Sequence, residues 1–106
     1  MAVEITVVPT TPRAVVDTAR IDMTGNDDVT PVYFSIEHNG VPGDTAKSQP
    51  FTGNGLLFTH VFPSDSGDSA WKVYLRKVAD DSDLSEGGTT VDVLSRDGED
   101  VSGVPS

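Results

Sequence analysis

Apolar and polar residues alternate along most of the chain. Near the start, Val3, Ile5 and Val7 take turns with Glu4 and Thr6 until Pro9 ends the run. Successive side chains of a strand point to opposite faces, so this rhythm predicts a half-buried β-strand. After the break at Thr10-Thr11-Pro12, a second run from Ala14 to Met23 sets Ala19, Ile21 and Met23 against Thr18, Arg20 and Asp22. Gly25-Asn26-Asp27-Asp28 reads as a turn. Pro31 opens a third strand, where Val32, Phe34 and Ile36 alternate with Tyr33, Ser35 and Glu37. It closes at Asn39-Gly40, the pair best suited to positive φ in a hairpin.

A polar stretch from Val41 to Gln49 reads as loop, with a short edge strand expected near Phe51 and a second punctuation mark at Asn54-Gly55. Leu56, Phe58, His60 and Phe62 then alternate with Leu57, Thr59 and Val61. Pro63 to Ser69 is a turn. Trp71, Val73 and Leu75 are expected inward, with Lys72, Tyr74 and Arg76 outward, as far as about Val78. An acidic turn from Asp80 to Glu86 is closed by Gly87-Gly88, and Thr89 to Leu94 is the last strand, Val91 and Val93 sharing a face. Arg13 to Arg20 can be wound as a helix, but Pro12 and the β-branched pair Val15-Val16 favour strand. Clean alternation joined by short turns predicts antiparallel sheets with one wet face each. Two such faces packed together make a sandwich. The expectation is one all-β domain of about seven strands over residues 1–94, followed by a polar tail, 95–106.

Size fits that picture. A chain of 106 residues is one domain, able to bury roughly 65% of its unfolded surface. With seven aromatics its core must be thin. There is no cysteine, hence no disulfide staple and no thiolate ligand or nucleophile, which favours a reducing compartment of synthesis. The start, Met1-Ala2-Val3-Glu4-Ile5, lacks the basic and apolar regions of a signal peptide and is expected to be the natural beginning of a complete protein. Seven basic against seventeen acidic residues give a formal charge of −10. That argues strongly against phosphate-dependent nucleic-acid binding and against anionic membrane surfaces as partners. It suits a solubilising surface, or a docking face for a basic partner.

From Leu56 to Leu94 the chain resembles the last three strands of immunoglobulin-like and fibronectin type III-like domains. An apolar strand ends in Phe62-Pro63. The turn Asp65-Ser66-Gly67 follows, then the strand Ala70-Trp71-Lys72-Val73-Tyr74-Leu75, a further turn and a β-branched closing strand. The resemblance implies an immunoglobulin-like antiparallel sandwich in which Trp71 plugs the bottom of the core. The cysteine pair of antibody domains is missing, and Phe34 stands near the place of their third-strand tryptophan. A short, acidic, cysteine-free domain of this kind also looks like the small accessory proteins that decorate capsids or tails of tailed bacteriophages. This likeness implies a virion location after synthesis in the host cytoplasm, a capsid or tail protein as partner, and possible self-association in the assembly.

Candidate chemistry is sparse. Asp80, Asp81, Asp83 and Glu86 offer oxygens to calcium. Counted from Asp81, however, an EF-hand loop needs glycine where Glu86 stands, and no flanking helices are predicted; a solvated turn is expected, with no calcium dependence. His38 is expected at an exposed hairpin mouth, and His60 at the core edge, hydrogen-bonded to backbone. Two histidines without thiols fall short of a zinc site. No serine lies in a nucleophile elbow, and Gly53-Asn54-Gly55 lacks the lysine and helix of a phosphate loop. No catalytic, cofactor or metal residues are therefore assigned. The assigned interface is the first strand as a sheet edge (Val3, Ile5, Val7), residues that serve equally well to fill the core, together with Tyr33 and Tyr74. If outward, those tyrosines would be the platform of the alternative reading, a carbohydrate- or cell-surface-binding module.

Overall fold

The computed structural model describes residues 3–39, 45–54, 58–67 and 70–96. The expectations at Gly40, Gly55, Leu56, Leu57 and most of the 95–106 tail lie outside them. Seven strands follow in order: β1 (Glu4–Val8), β2 (Ala19–Thr24), β3 (Val32–His38), β4 (Thr45–Lys47), β5 (Phe58–His60), β6 (Trp71–Lys77) and β7 (Thr89–Val91). They form two antiparallel sheets, β1-β2-β5 and β4-β3-β6-β7, with no helix among the described residues. The chain is an all-β sandwich.

The inward positions fill one core. Ile5, Val7, Ala19, Ile21 and Met23 come from the first sheet; Val32, Phe34, Ile36, Trp71, Val73, Leu75 and Val91 come from the second. Each large apolar side chain so buried contributes roughly 1.5–3 kcal/mol. The pairing of β3 with β6, Val32↔Lys77 through His38↔Trp71, is the longest register. It places the core residues Phe34 and Ile36 beside Leu75 and Val73.

Several expectations shift. The fourth strand is Thr45–Lys47 rather than a strand near Phe51; Phe51 instead exchanges two main-chain hydrogen bonds of 2.8 Å with Val32 as an isolated bridge. The second strand starts at Ala19. Before it, Ala14–Val16 form a single turn, closed by the Asp17 N–H on Arg13 O and by the Arg13 N–H on the Asp17 carboxylate. The last strand stops at Val91, and Leu94 bridges Arg13 in parallel. Tyr33 and Ser35, expected on a wet face, are 7% and 2% exposed. The connection between β6 and β7 folds back over that face.

Buried serines complete main-chain hydrogen bonding where the strands end. Ser48 Oγ accepts from Phe34 N (2.9 Å), and Ser66 Oγ accepts from Val93 N (2.8 Å) while Ser66 N donates to Val93 O (2.9 Å). Ser66→Ala would leave the buried Val93 N–H without an acceptor. Urea unfolding should then show a loss of about 1–3 kcal/mol, the desolvation cost of one unpaired buried donor. Two turns legible as turns also find each other. Asn26 N donates to Asn54 Oδ1 (2.8 Å), and Asn54 Nδ2 donates to Asn26 O (3.1 Å). Near the far end, Gly88 (φ +80°) lies so close to Tyr74 that a Cβ would sit 2.9 Å from its ring.

Candidate docking edge

β1 is an outer strand of the first sheet and β7 an outer strand of the second. After β1 the chain crosses between the sheets, and its Pro12–Ala14 segment pairs with Leu94. Leu94 N donates to Pro12 O (2.8 Å) and Ala14 N to Leu94 O (2.9 Å), which closes part of this flank. The rest stays open. There Ile5, Thr6 and Val7 face Thr10, Thr89 and Thr90 across a gap of about 210 Å³.

Within β1 the side chains divide by parity. Ile5 and Val7 are buried in the core and Val3 packs partly against it, whereas Glu4, Thr6 and Val8 point outward, Val8 being 52% exposed. At Val3, Ile5 and Val7, the residues expected at an interface, the apolar side chains thus serve the fold, and it is the main chain of β1 that lies at the sheet edge. An edge strand presents unpaired N–H and C=O groups, which proteins commonly guard with lysine, proline or a very short strand. β4 is guarded: it has three residues and ends in Lys47. β1 has five residues and neither lysine nor proline.

The two tyrosines do not make a platform. The Tyr33 hydroxyl donates to Asp81 Oδ1 (2.6 Å) beneath the β6–β7 connection, and Lys47 Nζ stands 5.4 Å from its ring centroid. Tyr74 is half-buried, with the Arg76 guanidinium 4.5 Å above its ring and Gly88 against its edge. Arg76 in turn grips Glu37 through two hydrogen bonds (3.0 and 3.3 Å) and reaches Asp81 O (3.1 Å). The outer face of the second sheet is therefore occupied by the protein's own polar network.

In the acidic turn, the Asp83 carboxylate accepts from the backbone of Ser85 and Gly87, and Asp80 accepts from Ser82. These bonds hold both carboxyls below their ordinary pKa, against the opposing effect of burial, which is the largest influence on Asp83. Among the described residues no three histidines or carboxylates stand together as a metal ligand set. Compared with known proteins, the chain matches no family model, no curated protein and no solved structure. No helix of the described residues is long and apolar enough to cross a membrane.

His38 is less exposed than expected, while His60 sits at the core edge as expected but without the expected hydrogen bond at Nε2. His38 is half-buried and stacks on Trp71 with ring centroids 4.2 Å apart. His60 packs edge-on to Phe62 (4.8 Å), beside a cavity of about 220 Å³ shared with Ala46, Pro63 and Trp71. Its buried Nε2 has no hydrogen-bond partner, and burial lowers its pKa. The folded chain thus resists a proton that the unfolded chain accepts. Stability is unaffected well above the unfolded value of about 6.5 and falls as pH drops below it. His60→Leu should retain or raise stability at pH 7.5, since it removes an unpaired buried nitrogen. It should also lose less stability than wild type between pH 7.5 and 5.5. Urea unfolding of both proteins at the two pH values measures the difference.

One end of the sandwich carries a strained residue. Val15 adopts φ +65°, held by its N–H on Phe62 O (2.8 Å), and its side chain is 61% exposed beside the exposed Val16. It lines a cleft of about 270 Å³ with Ala14, Pro63, Asp65 and Arg96. A β-branched residue in this left-handed region is a steric outlier, costing about 1–2 kcal/mol.

Proposed function

We propose that this chain is a non-catalytic protein-binding sandwich that docks on a repeating protein lattice through its open β1 edge. Small accessory proteins of tailed-phage capsids and tails are its functional kin. The observation that carries the reading is the flank where unguarded β1 faces β7 across a gap. Backbone groups there can extend a neighbour's sheet, and alternate side chains can be read by pockets. The strand order supports an immunoglobulin-like classification. The first, second and fifth strands form one sheet and the third, sixth and seventh lie in the other, with the fourth paired to the third rather than to the fifth. The formal charge of −10 supports a role among protein partners rather than nucleic acid.

The test is co-sedimentation of the purified chain with capsids, and separately with tails, of the virus that encodes it. Thr6→Lys places a guarding charge on the outward face of β1 without entering the core. Its stability should stay within about 0.5 kcal/mol of wild type, while particle binding should fall by on the order of tenfold or more, the cost of disrupting an edge register. Sedimentation with neither particle, or undiminished binding by the variant, overturns the proposal.

A further inference from the structure

We infer that β5 is an acid-sensitive flap: protonation of His60 swings Phe58–His60 away from β2 while the rest of the sandwich stays paired. Within the described residues β5 pairs with β2 alone, through Ala19↔His60, Arg20↔Thr59 and Ile21↔Phe58. Against these three pairs, β1 shares five with β2, and β3 shares seven with β6. Local openings fall where buried contacts and pairings are fewest. Both inward side chains of β5, Phe58 and His60, are only half-buried. The cavity of about 220 Å³ beside His60 also thins its packing against Ala46 on β4. Just beyond the strand the chain is pinned. Phe62 is fully buried and meets Trp71 edge-on, and its carbonyl accepts from Val15 N (2.8 Å). The flap therefore turns about Val61. Because β1 lies on the other side of β2, the docking edge keeps its pairing when the flap is open.

His60 makes the opening depend on protons. Its ring lies on the core side opposite Ala19, with Nε2 buried and without a hydrogen-bond partner. An imidazolium carries N–H on both nitrogens, so a charged ring there would bury an unpaired donor. Among the described residues no neighbouring charge offsets that cost. On β2 the Arg20–Asp22 pair sits on the outer face. On β4, Thr45 and Ala46 line the cavity, while Lys47 stands over Tyr33 on the far face. On β6, Trp71 lines the cavity and Lys72 alternates outward. His38 of β3 stacks on the indole, and Asp65 lines the cleft beside Val15. Burial is the one influence on the His60 pKa, and it lowers it. The closed flap therefore holds a neutral ring, and the open flap takes up a proton below about pH 6.5. The open population is unaffected well above that pH and rises below it, by about tenfold between pH 7.5 and 5.5 for a single proton. Global unfolding carries the same proton dependence; the flap reaches it at lower free energy, without parting β3 from β6.

Hydrogen exchange followed by mass spectrometry, corrected for the intrinsic pH dependence of amide exchange, tests this. A peptide spanning β5 should exchange through an opening insensitive to low urea, since little surface is exposed. That opening should be about tenfold more populated at pH 5.5 than at pH 7.5, and His60→Leu should abolish the response. Peptides from β3 and β6 should stay better protected than β5 at both pH values. The chain has no cysteine, so a second variant can lock the flap. Arg20→Cys with Thr59→Cys places thiols at opposed outward positions, with Cα atoms about 4.5–5.5 Å apart, inside the disulfide range. The oxidised double variant should lose the acid response in β5, and reduction should restore it. Exchange in β5 no faster than in β3 and β6 overturns the inference. So does an acid response that survives either His60→Leu or the disulfide lock.

Discussion

Trp71→Ala should lower the free energy of unfolding by about 3–5 kcal/mol, as deleting a fully packed aromatic does. Trp71 is 1% exposed and is held on every side. His38 stacks on one face of the indole, and the Phe62 ring meets it edge-on at 5.2 Å. The indole N–H donates to Ser64 O (3.2 Å). In register it lies between His38 on β3 and Val91 on β7, so its loss opens a void at the end of the second sheet, where these three strands meet. Domains of this size hold about 5–15 kcal/mol in total, so the melting temperature should fall by on the order of 20 °C. Trp71→Phe keeps most of the packing and gives up the indole hydrogen bond, and should lose about 1–2 kcal/mol. Thermal unfolding followed by circular dichroism measures both. An alanine variant that melts within a few degrees of wild type contradicts the placement of the indole.

The second large effect belongs to Tyr33. Tyr33→Ala should destabilise by about 3–5 kcal/mol, and Tyr33→Phe by about 1–2 kcal/mol, the worth of one hydrogen bond to a charged acceptor. The difference separates ring packing from the bond to Asp81. Burial and the neighbouring Asp81 carboxylate push the phenol from 10 up to about 12. The folded state therefore favours the neutral phenol. The stabilisation is intact below pH 10 and is lost as pH rises from 10 towards 12. Absorbance titration should show one tyrosine ionising near pH 12 in the folded chain, a step absent from Tyr33→Phe. A phenol ionising near 10 would mean that Tyr33 is open to water. These outcomes also bear on glycan binding: any loss of it in Tyr33→Ala would follow from unfolding rather than from removal of a stacking surface.

The strands most legible from sequence are those whose alternation is longest. β2 and β6 show their inward sets (Ala19, Ile21, Met23; Trp71, Val73, Leu75) because one face of each stays wetter than the other. β4 gave no such signal. Thr-Ala-Lys is a three-residue edge with one half-buried side chain, too short for a period to register. Tyr33 departs from its expected wet setting for a different reason. Parity put it on the outer face correctly, but parity knows nothing of the acidic connection that covers that face through Asp81 and Arg76. The candidate edge was legible as a first strand of β-branched residues; its gap with β7 was not. That gap depends on where Pro12–Ala14 docks, a contact some eighty residues away in sequence at Leu94. The serines at 48 and 66 were invisible as structural residues, since a polar residue in a turn carries no mark of the strand whose N–H it satisfies.

Val15 has a consequence for how this surface evolves. Glycine would hold the same bend without steric conflict, and an exposed isopropyl group returns little to the fold that bears it. Were stability alone under selection, the codon would drift towards glycine. Retention of a branched side chain at this corner would mark it as a point where the molecule is touched from outside, and a survey of natural variants would register that pressure without a binding partner in hand.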